Sequence, residues 1–487
     1  MRVPPMDRGK QCGRLKTNNI QMKELILKWS WAILLTFFCP LLMVAQNTRP
    51  PYVSPREPQV LETMSEWQGW KFGMFIHWGA YSQWGVTESW TICPNPENVK
   101  NIPDSLTYFG YLKKYVKLKE TFNPERFDPD QWAEAARYAG MKYVVFTTKH
   151  HDGFNMFDTK YSAYKISDAA CPYHSQPNAN VAKVLFEAFR AKGLHTGAYF
   201  SIADWNHNDY WWDKLPPTGR NINYSAGKYP AKLAAFEDFV NNQLNELTNG
   251  DYGKIDLMWF DLAQIGAPLH WNRFAKTLRD NQPGIMMVAR YANNQYENYR
   301  TPEQQIPDET FGYPWEACIT MAGSWAYRPN DTYRTTRRLL EILVQIVSRG
   351  GNLLLNVGPG PDGQLAPDAY TRMREIGDWM QLNGEGIYGT KPIAPYREEN
   401  IRFMQKNGYV YAFYVSGEDD NGIPSKVLVC SLKPDQGSKV YLMGYKKPLK
   451  WTPNGAGFNI DIPESVRKAP PCQHVWGFKF KTDHRED

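Results

Sequence analysis

Between residues 60 and 390 the chain alternates two hydrophobic rhythms. Apolar residues recur at helical spacing over 60–70, 129–139, 181–192, 231–247, 271–281 and 335–348. Each such stretch is followed within a few residues by a short apolar run: 72–79, 143–148, 194–200, 255–261, 284–290 and 352–359. These runs are too brief for helices, carry many β-branched and aromatic residues, and lack strict apolar/polar alternation, as expected of parallel strands covered on both faces. Most of them end on polar residues: His77, then the cluster Lys149-His150-His151-Asp152, then Ser201 with Asp204, Asp261 and Arg290. The pattern predicts a (β/α)8-like, TIM-type barrel over residues 50–391 rather than an open doubly wound sheet. In such a barrel the chemistry sits on the loops that follow the strands. No Gly-rich dinucleotide fingerprint and no phosphate-binding loop follows any of these runs, and 358–363 reads as a turn.

From residue 392 the rhythm changes to short alternating segments at 402–405, 409–415, 426–431, 439–443, 458–462 and 475–481, separated by turns such as Lys406-Asn407-Gly408 and containing no helix-period stretch. Residues 392–487 are therefore expected to form an antiparallel β-sandwich attached to the barrel.

The N-terminal end has a different character. Lys23 and Lys28 precede an apolar stretch at 29–44, and the small residue Ala45 is followed by polar Gln46-Asn47-Thr48. This is the layout of a secretory signal over residues 1–46, with Met22 as an alternative initiator, and it predicts an exported protein, periplasmic or secreted. The stretch is too short for a comfortable membrane span, and Cys39 lacks the small residues that precede a lipidated cysteine. The seven cysteines show no CxxC spacing, which argues against a disulfide scaffold and a zinc site. A net charge of +6 over 487 residues, with Lys and Arg scattered, indicates neither a nucleic-acid groove nor an anionic membrane surface. Aromatic residues reach 14%, with 18 Trp and 29 Tyr, a content that suits stacking on sugar rings and equally suits a large aromatic core.

Three strand-end histidines, His77, His150 and His151, share these stretches with four carboxylates, Glu88, Asp152, Asp204 and Asp261. One reading is a metal site, but the spacing matches no common ligand motif, and adjacent His150 and His151 would point to opposite sides of an extended chain. The other reading is glycoside hydrolysis, which needs two carboxyl groups within a rim of hydrogen-bonding and stacking side chains. Asp261, beside Trp259 at a strand's C-terminal edge, is the candidate nucleophile. Its alternative role is to cap the following helix.

The segments KFGMFIHWGAYS, KYVVFTTKHHDGF, DLMWFD and PWEACITMAGSWAY, in this order, resemble the α-L-fucosidases of glycoside hydrolase family 29. The resemblance covers residues 60–390 and extends to the layout of the C-terminal domain. It implies a retaining exo-hydrolase, working without cofactor or metal, that removes terminal α-linked L-fucose from fucosylated oligosaccharides or glycoconjugates. Carried over by motif, Asp261 is the nucleophile, and His77, His150, His151, Glu88, Trp90, Tyr199, Trp259 and Arg290 bind the sugar. Three local departures concern sugar contacts: Glu88-Ser89-Trp90, Ala289 before the strand-end Arg, and Ser324-Trp325-Ala326-Tyr327. For the acid/base the candidates are Glu303, on a polar stretch able to reach over the bowl, and Glu316, flanked by Trp315 and Ala317. Glu303 is preferred. Two other readings stand beside this one: a barrel glycosidase for another sugar such as α-galactose, and a catalytically idle fucose-binding lectin.

Overall fold

A computed structural model describes residues 50–482 except 101, 104, 291, 293 and 418–421, and from Tyr52 on these belong to one compact unit. Seven parallel strands form the first sheet: β1 (Phe72–Ile76), β2 (Tyr143–Lys149), β3 (His195–Ser201), β4 (Leu257–Asp261), β5 (Met286–Ala289), β6 (Glu316–Thr320) and β7 (Asn352–Val357). Their order is β5-β4-β3-β2-β1-β7-β6, so the sheet curls until only the gap between β5 and β6 is left. An irregular stretch fills that gap. Asn298 N–H donates to Met287 O on the β5 side, while Glu316 N–H donates to Arg300 O and Gln304 N–H to Cys318 O on the β6 side. Residues 298–304 thus occupy the eighth strand position of a (β/α)8-like barrel, and Glu303 lies at its C-terminal end.

The strands form because their residues can be buried on both faces, and the two faces serve different cores. Alternate residues Phe75, Tyr143, Val145, Tyr199, Leu257, Trp259, Val288 and Leu354 point into the barrel. The helix Pro58–Trp70 closes its floor with Val60, Met64, Trp67 and Trp70. The intervening residues, among them Met74, Val144, Phe146, Phe200, Met258 and Phe260, pack outward against the surrounding helices. Each such large side chain contributes about 1.5–3 kcal/mol on burial, which is why both sets are apolar. Gly73 faces the interior opposite Tyr143, and a Cβ there would lie 2.5 Å from the Tyr143 ring. The missing side chain makes room for a tyrosine that reaches across the barrel.

The helices Pro129–Tyr138, Val181–Ala191, Pro230–Thr248, Trp271–Asn281 and Thr336–Ser348 lie where the periodicity placed them, within two residues at either end. The helix Pro367–Asn383 was not anticipated. Beyond the barrel, eight antiparallel strands form a single sheet: β8 (Lys391–Glu398), β9 (Ile401–Lys406), β10 (Tyr409–Val415), β11 (Lys426–Val429), β12 (Val440–Leu442), β13 (Pro448–Asn454), β14 (Gly457–Asp461) and β15 (Val475–Lys481). The sheet encloses its own core, in which Val427, Val429 and Phe458 from one arm meet Phe403, Val410 and Phe480 from the other. A short helix, Glu464–Lys468, interrupts the strands. This domain is tied to the barrel by Trp379, whose indole N–H donates to Val475 O at 2.7 Å while its ring packs on Phe413.

Among the described residues no helix is long and apolar enough to cross a membrane, and the cysteines at 93, 171, 318, 430 and 472 are free thiols. The secretory-signal reading of residues 1–46 falls outside the described residues.

Candidate active site

Every parallel strand delivers its last residues to the same rim, so side chains far apart in sequence converge there. Asp261 ends β4. Its Oδ1 accepts from the Leu262 N–H at 2.8 Å and pairs with Arg290 Nη1 at 3.1 Å, and its Oδ2 accepts from the Tyr199 hydroxyl at 3.0 Å. His151 Nε2 stands 4.0 Å from the same Oδ2. Burial alone would push the Asp261 carboxyl up. Arg290 and the two donated hydrogen bonds outweigh it and hold the group below its ordinary range, so it stays ionised. Arg290 uses its other terminal nitrogen on Glu303, and its guanidinium lies over the Trp259 ring at 5.3 Å. One arginine therefore holds two carboxylates, one near the end of β4 and one near the end of the eighth strand. Side-chain exposure distinguishes them, 15% for Asp261 and 35% for Glu303.

Three histidines complete one wall, and all three are buried, which drives each pKa down: His77 to about 4, His151 to about 3, and His150 far below the usual value. They are neutral at neutral pH, and their partners orient them. The Asn356 amide donates to Trp325 O at 2.7 Å, so its Oδ1 accepts from His77 Nδ1 at 2.6 Å and the Nε2 of His77 is left as an acceptor. Ser201 donates its hydroxyl proton to Ala203 O at 2.7 Å and accepts from His151 Nδ1 at 2.8 Å, which makes His151 Nε2 an acceptor facing Asp261. A substrate hydroxyl between those two atoms would supply the missing proton. His150 Nδ1 meets Ser89 Oγ at 2.6 Å.

Adjacent His150 and His151 do not point to opposite sides. The strand ends at Lys149 after a register shift against β3, the chain turns, and the two imidazoles lie with centroids 4.0 Å apart. Lys149 instead turns away to Asp204 at 3.4 Å and Gln243 at 3.1 Å. Asp204 and Asp152 are thereby support residues: Asp152 accepts from the Tyr115 hydroxyl at 2.7 Å. Between them Gly153 has φ +76, and a Cβ there would lie 2.1 Å from Asp204 Oδ1.

Glu88 is buried against the loop after β6, where its Oε1 accepts from Ala326 N–H at 2.9 Å. Burial raises its pKa to about 7, with that hydrogen bond and Arg328 opposing and Glu303 adding to the rise. At neutral pH it is partly protonated and so able to donate as well as accept a hydrogen bond. Trp90 sets its edge on His151 and on Trp205, with centroids at 5.2 and 5.4 Å, and Trp325 lies 5.0 Å from His77. Tyr199 is stacked between His150 and Trp259.

Glu316 is elsewhere. It opens β6 inside the barrel, fully buried, accepting from the Tyr143 hydroxyl at 2.5 Å and from Trp259 Nε1 at 3.1 Å. The rim thus gathers Asp261, Glu303, Arg290, Glu88, Trp90, Tyr199 and the three histidines, while Glu316 supports Trp259 from below. Asn356 and Ser201 fix two histidines; sequence reasoning missed Asn356, noted Ser201 only as a polar strand-end residue, and noted Ser89 only as a departure. Among the described residues no cluster of three or more His, Cys, Asp or Glu could hold a metal ion.

Comparison with known proteins agrees over both parts of the chain. The family model described as Alpha-L-fucosidase matches residues 41–385, and the one described as Alpha-L-fucosidase C-terminal domain matches residues 395–481. The chain is 30% identical to the tissue alpha-L-fucosidase of Mus musculus over 437 residues, covering 84% of this chain and 90% of that one. In structure it is similar to alpha-L-fucosidase isoenzyme 1 from Paenibacillus thiaminolyticus, with a TM-score of 0.71 and 28% identity, covering 87% of this chain and 100% of the other. It is also similar to the Thermotoga maritima alpha-fucosidase solved in complex with fucose, with a TM-score of 0.67 and 27% identity, covering 88% and 100%.

Proposed function

The chain belongs to the α-L-fucosidase family of glycoside hydrolases, and from that premise we propose that it removes terminal α-linked L-fucose from fucosylated oligosaccharides or glycoconjugates with retention of configuration. The observation that carries this reading is Arg290 holding Asp261 and Glu303 at one rim. Asp261, kept ionised, attacks the anomeric carbon while Glu303, as the acid, gives a proton to the departing glycosidic oxygen. The bond to the aglycone breaks as the ester to Asp261 forms. Glu303, now a carboxylate, takes a proton from water, which attacks the same carbon from the opposite side and releases Asp261. Neutral His77 and His151 accept from fucose hydroxyls, Glu88 donates to one, and the faces of Trp90 and Trp325 border the space for the C5 methyl.

Purified protein should hydrolyse an aryl α-L-fucoside, and NMR of the fresh reaction should show α-L-fucose as the first product. Hydrolysis of an α-galactoside in its place would overturn the substrate assignment, and immediate β-anomer would overturn the covalent mechanism.

Export is part of the same proposal, supported by the apolar stretch at 29–44 behind Lys23 and Lys28. N-terminal sequencing of the protein produced in its own host should start beyond that stretch. A mature chain that retains residues 29–44 would sink the assignment.

A further inference from the structure

At the opposite pole of the barrel, where the strands begin, a cavity of about 500 Å3 opens between the floor and the start of β8. Its walls include Lys71, just before β1; Phe311, Tyr313 and Trp315, just before β6; Arg349, just before β7; and Lys391, the first residue of β8. Three cations line it, and no Asp or Glu does. Lys71 is 3% exposed, and among the described residues its amine has no hydrogen-bond or ion-pair partner. Burial, with no counter-charge to oppose it, lowers its pKa to about 8. Arg349 is equally buried and gives Nε to Asp308 O at 3.0 Å and Nη1 to Gln345 O at 2.9 Å, leaving Nη2 uncommitted. The Asp308 carboxylate is turned outward, 87% exposed, toward Arg397.

Lys71 carries a second cost. It follows the helix Pro58–Trp70 with φ 63 and ψ −28, a left-handed conformation that glycine or asparagine adopts far more easily. A strained backbone carrying a buried, unpaired charge is the combination that accompanies binding sites, because neither feature benefits the fold by itself. Phe311 and Tyr313 stack beside the cations with centroids 4.9 Å apart, and Phe311 is itself partly open to solvent.

We propose that this cavity binds a small oxyanion, a phosphate, sulfate or carboxylate group on a flat organic body, with Lys71 Nζ and Arg349 Nη2 as its ligands and the Phe311–Tyr313 face against the body. Charge-assisted bonds from both cations would replace the missing counter-ion, and the aromatic wall would bury the apolar part of the ligand. The site is separate from the rim that carries Asp261 and stands independently of the proposed glycosidase mechanism.

Calorimetric titration of the full protein with inorganic phosphate, phenyl phosphate, phenyl sulfate and benzoate, at constant ionic strength set with chloride, tests the idea. Saturable binding of at least one is expected, with the aryl anions tighter than inorganic phosphate, and the preferred head group identifies the source. Lys71→Met should weaken binding by at least about tenfold while leaving aryl fucoside turnover unchanged, which also reports that the variant is folded. If Lys71→Met does not fold, Phe311→Ala, a change at an exposed wall, takes its place: phenyl phosphate should weaken and inorganic phosphate should not. Absence of saturable binding by the unaltered protein for all four anions would overturn the proposal, as would binding that survives Lys71→Met unchanged in a folded variant, or that shows no selective loss of phenyl phosphate in Phe311→Ala.

Discussion

Replacing Asp261 by Gly should lower turnover of an α-L-fucoside by about 10⁴-fold or more, the scale seen when a nucleophile is removed, without unfolding the protein. The fold tolerates the change because Asp261 lies at the end of β4, outside the layer of Leu257 and Trp259 that fills the barrel, and because Arg290 keeps Glu303 as a counter-charge when Asp261 is gone. Tyr199 loses its acceptor, and water entering the space left by the carboxylate can replace it. The deleted carboxylate leaves room for a small anion beside Arg290. Added azide should therefore restore part of the activity on an activated aryl fucoside and give β-fucosyl azide, since it attacks from the side Asp261 would have used. Turnover near the unaltered level in a folded variant would remove Asp261 from the role of nucleophile.

The same residues show what the sequence made legible. Strand-end placement identified Asp261, His77 and Arg290, because a buried parallel strand is an apolar run and the rim begins where the run stops. The eighth barrel position escaped notice because Asn298-Tyr299-Arg300-Thr301-Pro302-Glu303-Gln304 is not apolar; main-chain hydrogen bonds to β6 and the buried Tyr299 hold it in place. Glu303 consequently read as a loop residue, although its position is fixed by that pairing. Asn356 was hidden for a different reason. It looked like one residue of the run 352–359, and its partner His77 is 279 residues away. No local pattern records such a contact. In the C-terminal domain β8 and β13 were missed because each contains two prolines, Pro392 with Pro395 and Pro448 with Pro453, and proline argues against a strand. β8 tolerates them as an edge strand, and in β13 they lie at the first and sixth positions of seven.

Glu303 and Glu316 can be separated because an acid/base and a buried support fail in different ways. A good leaving group departs without a proton, so loss of the acid spares formation of the fucosyl-enzyme from an activated aryl fucoside and cripples cleavage of a fucosylated oligosaccharide. Glu303→Ala should lose on the order of 10²–10⁴-fold on the oligosaccharide, much less in the first step on the aryl fucoside, and should accumulate fucosyl-enzyme there. Azide should then give fucosyl azide of retained α configuration. Glu316→Ala should lower both activities alike and destabilise the protein, because it strands the Tyr143 hydroxyl and the Trp259 indole N–H inside the barrel. Glu316→Gln should be milder, since an amide can accept from Trp259 and donate to Tyr143. It should also change the pH dependence of stability in a defined direction. Burial raises the Glu316 pKa from 4.5 to about 7 against the two donated hydrogen bonds, so in this window the folded protein holds a proton that the unfolded chain has released. The resulting contribution is full below the unfolded value and is lost as pH rises through the folded one. From pH 5 to pH 7.5 the unaltered protein should lose stability relative to Glu316→Gln, by on the order of 3 kcal/mol if the whole shift is expressed. Chemical denaturation at the two pH values measures it. A substrate-dependent loss that follows Glu316 would exchange the roles of the two glutamates and leave Asp261 with its own.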